Sequence, residues 1–180
     1  MKFTFADQVV IKNSKMDKKT ILFIVLGSFI IVIFAYFIFS SSNTASNAPA
    51  SYSMQDELRP QAKVDSVLYD FGSMKVSEKK SYDFTVKNVG KKPLQLSNIT
   101  TSCNCTFVKV IYNGKESVEF DMHSKSNYII EIEPDKKAII RVTYKPYVMP
   151  VYGFVEREAL IKTNDPAMQD IVFKVTANVK

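Results

Sequence analysis

The chain has 180 residues, 46% of them hydrophobic, with 24 Lys and Arg against 18 Asp and Glu, five glycines, two cysteines and one histidine. So few glycines argue against a phosphate-cradling loop, and no paired-histidine motif or Ser-His-Asp set stands in recognisable context. The net charge of +6 is not a nucleic-acid signal, because past the N-terminal segment lysines alternate with acids along strand-like runs, as on a solvated face.

Residues 1–20 read as a cytoplasmic segment. They carry Lys2, Lys12, Lys15, Lys18 and Lys19 against Asp7 and Asp17 alone. From Ile21 through Phe39 there is neither a charge nor a proline. At about 1.5 Å per residue that run spans roughly 28 Å, a bilayer's hydrocarbon core, and predicts one transmembrane helix. Phe34, Tyr36, Phe37 and Phe39 gather at its exit, where an interfacial aromatic belt sits. Residues 40–58 have no Lys or Arg, so the positive-inside rule places the rest of the chain across the membrane. Ala48-Pro49-Ala50 offers a rival cleavage pattern, but it lies eleven residues past Phe39, behind an apolar run too long for a signal peptide. An uncleaved, single-pass signal anchor is the expectation. Under either reading the folded part lies where a disulfide is permitted.

Residues 40–62, opening Ser40-Ser41-Ser42-Asn43-Thr44 and holding Pro49 and Pro60, read as a flexible tether. From Lys63 to Lys180 the period becomes that of strands. Tyr82, Phe84 and Val86 oppose Asp83, Thr85 and Lys87, and Ile140, Val142 and Tyr144 oppose Ile139, Arg141 and Thr143. Asn88-Val89-Gly90, Asn113-Gly114, Glu133-Pro134-Asp135 and Asn164-Asp165-Pro166 punctuate these runs as turns. Asn113-Gly114 predicts a hairpin pairing residues 106–112 with 115–121. Eight or nine short strands, with no helical period after Phe39, predict an all-β, two-sheet sandwich behind one transmembrane helix.

Tyr69-Asp70-Phe71-Gly72, Tyr82 through Gly90, Pro93-Leu94 and Ser102-Cys103-Asn104-Cys105-Thr106 follow one another in order. Together with Glu133-Pro134-Asp135, Tyr144-Lys145-Pro146 and Thr163-Asn164-Asp165-Pro166, this resembles a bacterial domain-of-unknown-function family, numbered 1573, whose hallmark is Ser-Cys-Gly-Cys-Thr. The resemblance covers about residues 65–180. It implies an Ig-like antiparallel sandwich related to the major-sperm-protein and hydin type, lying beyond the inner membrane in the periplasm. It brings no biochemical activity. Two departures stand out: Asn104 replaces the central glycine, and the stretch from Phe107 to Ile132 is longer than the family's usual link. The excess reads as an added hairpin around Asn113 and Gly114, carrying Met122 and His123, and as a candidate surface for a protein partner.

On a regular strand Cys103 and Cys105 share a face with Cα atoms about 6.6–6.8 Å apart. That is the outer limit for a disulfide, so a bridge there requires a bend at Asn104. Three readings stay open: a structural pair, packed or bridged; a redox-active or partner-linked pair; and a soft-metal site, most plausibly for Cu(I). Metal binding wants a third ligand, and His123 beside Met122 is the only histidine, although a lone histidine in a polar loop usually sits idle on the surface. Zinc falls short of the four ligands of a structural site. Glu156 and Glu158 share a face around Arg157, a spacing that fits a salt-bridged solvent face better than a pair of acid/base carboxylates. Tyr144, Tyr147 and Tyr152, near Pro146 and Pro150, read as a turn packed on the core in preference to a binding rim. The expected function is non-enzymatic: a membrane-anchored module that binds an unidentified protein, without cofactor or nucleic acid. The alternative is a thiol protein using Cys103 and Cys105 for Cu(I) binding or disulfide exchange.

Overall fold

An alternating strand buries one face, and that face is satisfied only against another layer. The computed structural model describes residues 49–180 except 125 and 126, together with residues 19, 22, 23, 27–29 and 31–33. Among these residues the strands are β1 (Ala62–Val64), β2 (Leu68–Met74), β3 (Lys80–Asn88), β4 (Leu94–Thr101), β5 (Thr106–Tyr112), β6 (Lys115–Glu116), β7 (Ile130–Ile132), β8 (Lys137–Tyr144), β9 (Gly153–Thr163) and β10 (Asp170–Val179). One sheet runs β1-β3-β8-β5-β6 and the other β2-β10-β9-β4-β7. Phe84 and Val86 of β3, Ile140 and Val142 of β8, Leu94 and Leu96 of β4, and Phe173 and Val175 of β10 meet in one core. Each such buried side chain contributes about 1.5–3 kcal/mol over its exposed state.

Two expectations about the sheets need correction. There are ten strands where eight or nine were expected, because β1, β6 and β7 have two or three residues and are too short to show an alternation. The sandwich is also not wholly antiparallel, since β2 pairs parallel with β10. A chain of aromatic contacts braces that side: Phe71 meets Tyr69, Tyr69 stacks on Tyr82 at 3.6 Å, Tyr82 meets Phe84, and Phe84 meets Phe173.

Asn113 and Gly114 both have positive φ, 50° and 74°, as a two-residue turn matched to the strand twist requires. The regular hairpin stops at Glu116, however, instead of running to residue 121. Ser117 ends it by accepting the Val110 N–H on its own Oγ at 2.9 Å. The chain then rejoins β5 at Phe120, which exchanges two 2.8 Å backbone bonds with Val108 and sinks into the core. It goes on to β7, which pairs with β4 in the opposite sheet. The long 107–132 stretch is therefore no free appendage. It crosses from one sheet edge to the other.

Turn motifs at one end of the sandwich act as buried clamps. The Asn88 side chain donates to Lys92 O and Ile132 O, both at 2.8 Å, and accepts from Gly90 N at 2.9 Å. Asp165 accepts from Ala62 N and Ala167 N, both at 2.9 Å, and pairs with Arg59 at 3.1 Å. The polar segment before the domain is thus fastened at Arg59, and already at Ala50, whose N–H donates to Gln95 Oε1 at 2.6 Å; Pro60 is buried. A side chain on Gly90 would collide with the Arg59 carbonyl oxygen and the Gln61 nitrogen.

The expected transmembrane run, with both its limits Ile21 and Phe39, lies largely outside the described residues. The described positions within it, Leu22, Phe23, Gly27 to Phe29 and Ile31 to Ile33, are helical, and the large apolar ones are exposed. Among the described residues no helix is long and apolar enough to cross a membrane.

Because the neighbours of Gly90 are backbone atoms, Gly90→Ala has no side chain to push aside. Urea unfolding of this variant is expected to show a loss of about 3 kcal/mol, as for overpacked cores. An unchanged midpoint would contradict the clamp.

Candidate functional site

The chain leaves one sheet at Thr101, the end of β4, and joins the other at Thr106, the start of β5. Backbone groups at the buried ends of such a crossing need partners. Thr101 Oγ1, buried, sits 2.9 Å from Cys103 O and 3.0 Å from Thr106 O and donates its proton to them. Ser102 N donates to Glu158 O at 3.0 Å, and Glu158 N donates to Ser102 Oγ at 2.9 Å. Thr106 N donates back to Cys103 O at 3.2 Å, closing a turn. That turn brings the Cα atoms of Cys103 and Cys105 to 5.3 Å, and the two cysteines form a disulfide. Asn104 is not among the residues of positive φ, so the bend does not draw on the left-handed freedom that glycine offers.

The two sulfurs differ. Cys105 is fully buried (0% exposed), whereas Cys103 is half-buried. Cys103 Sγ accepts the Cys105 N–H at 3.2 Å and lies 3.3 Å from Thr106 Oγ1. Cys105 Sγ accepts Arg157 Nε–H at 3.3 Å. The Arg157 guanidinium also donates to Glu156 O at 2.9 Å and lies 5.6 Å from the centre of the buried Tyr144 ring. In the sequence Arg157 stands out only as the residue between two glutamates. Its signal was the alternation itself, since it shares the inward register of Val155, Ala159 and Ile161.

His123 is not assembled with the cysteines. Among the described residues no three His, Cys, Asp or Glu side chains converge to hold a metal ion, so the third ligand considered for Cu(I) is missing from the pair. Met122 and His123 sit instead on a turn closed by Asp121, whose carboxylate accepts from His123 N and Ser124 Oγ, both at 2.9 Å. The Ser124 hydroxyl and the His123 amide hold that carboxyl below its usual value. Glu156 and Glu158 point outward, and Lys174 bridges both at 2.9 Å. Those bonds raise the Lys174 ammonium above its ordinary value. In the shallow groove over β3, β5 and β8, Arg141 grips Asp83 through two 2.8 Å bonds and Lys109 pairs with Glu116 at 3.0 Å.

The aromatic turn after β8 divides in two. Tyr144 and Pro146 pack inside, as expected, but Tyr147, Val148, Met149, Val151, Tyr152 and Phe154 are exposed, Tyr152 by 67% and Phe154 by 74%. Register puts this apolar run at the disulfide end, because Tyr144 pairs with both Lys80 and Thr106. Ala62, where the chain joins the sandwich, pairs with Asn88 at the other end. Beside the apolar run, β9 keeps an open edge. β4 reaches it only from Thr163 to Ala159, leaving Gly153 to Arg157 paired through β10 alone.

The Tyr144 hydroxyl is buried and has no hydrogen-bond partner among the described residues. A buried, unpaired hydroxyl costs about 1–3 kcal/mol. Tyr144→Phe is therefore expected to leave the denaturation midpoint unchanged or raised, and a loss above about 1 kcal/mol would reveal a partner and contradict this reading.

Similarity to known proteins bears on the fold and the family. No curated protein matches this chain. A solved protein of unknown function from Porphyromonas gingivalis W83 is 20% identical with a TM-score of 0.54, over 69% of this chain and 50% of its own. This chain thus spans about half the length of that protein, and the likeness is one of fold. The PapD-like domain 7 of human CEP192 (11% identity, TM-score 0.46, 74% of this chain and 94% of that one) and the YadV chaperone (11%, 0.42, 66% and 52%) are more distant. Residues 62–179 match the family described as Protein of unknown function (DUF1573), and the chain belongs to that family.

Proposed function

We propose that this protein is a membrane-anchored, extracytoplasmic docking module that binds another envelope protein and performs no chemistry on it. The observation that carries the reading is the exposed apolar run from Tyr147 to Phe154 beside the open edge of β9. Contiguous apolar surface of this kind is uncommon on a solitary soluble domain and marks contact sites. An open edge offers unpaired backbone groups to an incoming strand. The favoured occupant is an extended segment of a protein partner, pairing with Gly153 to Val155 and laying apolar side chains on Tyr152 and Phe154. The position of this surface supports a reaching role, since it lies at the end of the sandwich away from Arg59 and Ala62. The charge-free run from Ile21 to Phe39, with lysines before it and none just after, supports an inner-membrane anchor with a cytoplasmic N-terminus.

A photo-crosslinking side chain placed at Tyr147 in the full chain, in its own cells, tests this. The expected result is one discrete protein adduct, absent when the crosslinker stands at Lys87 and lost when Tyr152→Asp and Phe154→Asp are added. Adducts with lipid alone, or equal adducts at Lys87, would contradict the reading.

A further inference from the structure

Charged side chains on a sandwich normally turn to water, because an uncompensated buried charge is costly. Arg157 does not. It stands between Val155 and Ala159 on the inward face of β9, half-buried, with no carboxylate paired to it among the described residues. The nearest acids on its own strand, Glu156 and Glu158, are taken by Lys174 on the outer face. Lys145, at the end of β8, is held by Glu119 at 3.0 Å and lies over the Phe107 ring. What the guanidinium touches instead is a carbonyl, an aromatic face and Cys105 Sγ. A disulfide sulfur is a weak acceptor, whereas a thiolate is an anion that a cation stabilises strongly. The site around Cys105 therefore suits the reduced sulfur better than the bonded one.

We propose that Cys103–Cys105 is an exchangeable disulfide, with Cys103 the sulfur attacked and Cys105 the sulfur that leaves. This stands apart from the docking role and does not depend on it. The co-reactant is a dithiol. One of its thiolates attacks Cys103 Sγ, the half-exposed member of the pair, forming a mixed disulfide. The Cys103–Cys105 bond breaks, and its electron pair stays on Cys105 Sγ, facing Arg157. The second thiol of the reductant, once deprotonated, then attacks the mixed disulfide and releases Cys103 as a thiolate. Two electrons have passed to the protein, and the dithiol has become a disulfide. Arg157 favours the reduced state, and a better leaving thiolate also hastens the first step.

The test equilibrates the full chain, in detergent, with graded ratios of reduced and oxidised dithiothreitol at pH 7 and counts alkylated cysteines by mass. Arg157→Met is expected to lower the equilibrium constant for reduction about tenfold, which is about 30 mV for two electrons. Arg157→Lys, which keeps the charge, is expected to stay within about threefold of the parent. A second readout needs no variant: with 13Cβ-labelled cysteine, reduced Cys105 is expected to titrate below the ordinary thiol value of about 8.5. An unchanged constant in Arg157→Met overturns the proposal. If that variant does not fold, Cys105 titrating at or above the ordinary value overturns it alone.

Discussion

Each time this chain leaves one sheet for the other, its backbone loses the ladder partners that a strand supplies. The crossings lie against a dry core, so those groups must be paired from elsewhere or the sandwich does not close. Buried polar side chains do that pairing. Asn88 holds the carbonyls of Lys92 and Ile132, Asn164 takes the Gln95 N–H, Asp165 takes those of Ala62 and Ala167, and Thr101 serves the crossing from β4 to β5. With the crossings closed, the apolar alternation of β3, β8, β9 and β10 can fill one core. The same clamps hold the preceding segment, since Arg59 and Ala62 are caught by Asp165.

The disulfide belongs to this logic, being a covalent closure of the β4 to β5 crossing. Its ring spans three residues, too short a loop for chain entropy to be its main contribution, because that benefit grows with the length enclosed. Something more local follows from its place. The turn buries Cys105 completely and leaves Cys103 half-buried, and β9 brings a cation to the buried one. A pair serving only as a staple has no use for that cation. This asymmetry is what motivates the proposed exchange chemistry.

Much of the fold was legible because the core strands are long enough to alternate. Tyr82 to Val86, Ile139 to Tyr144 and Ile171 to Val179 repeat the two-residue period over five or more residues, and the observed burial follows it except at Thr143, which is buried. Asn113-Gly114 was legible because both positions take positive φ, which few other pairs tolerate. What escaped were features decided across the sheets. The parallel pairing of β2 with β10 joins residues about a hundred apart and leaves no local mark. The extent of the hairpin turned on one hydroxyl, that of Ser117. Arg157 was hidden by reading its neighbours as charge pattern alone, when the parity of Val155 and Ala159 already pointed it inward. The turn after β8 was half legible: proline rigidity was evident, but nothing in the local pattern marks Tyr147, Tyr152 and Phe154 as exposed.

The covalent closure between β4 and β5 underlies both the crossing and the proposed exchange. The first measurement is therefore the intact mass of the full chain, isolated from an oxidising compartment and alkylated with and without prior reduction, with Cu(I) supplied in parallel. No alkylation before reduction and two alkylations after it, with a proteolytic fragment mapping the bond to Cys103 and Cys105 and no copper retained, is the predicted result. Two free thiols in the native protein, or stoichiometric copper that disappears in the Cys103→Ser, Cys105→Ser variant, would contradict the account.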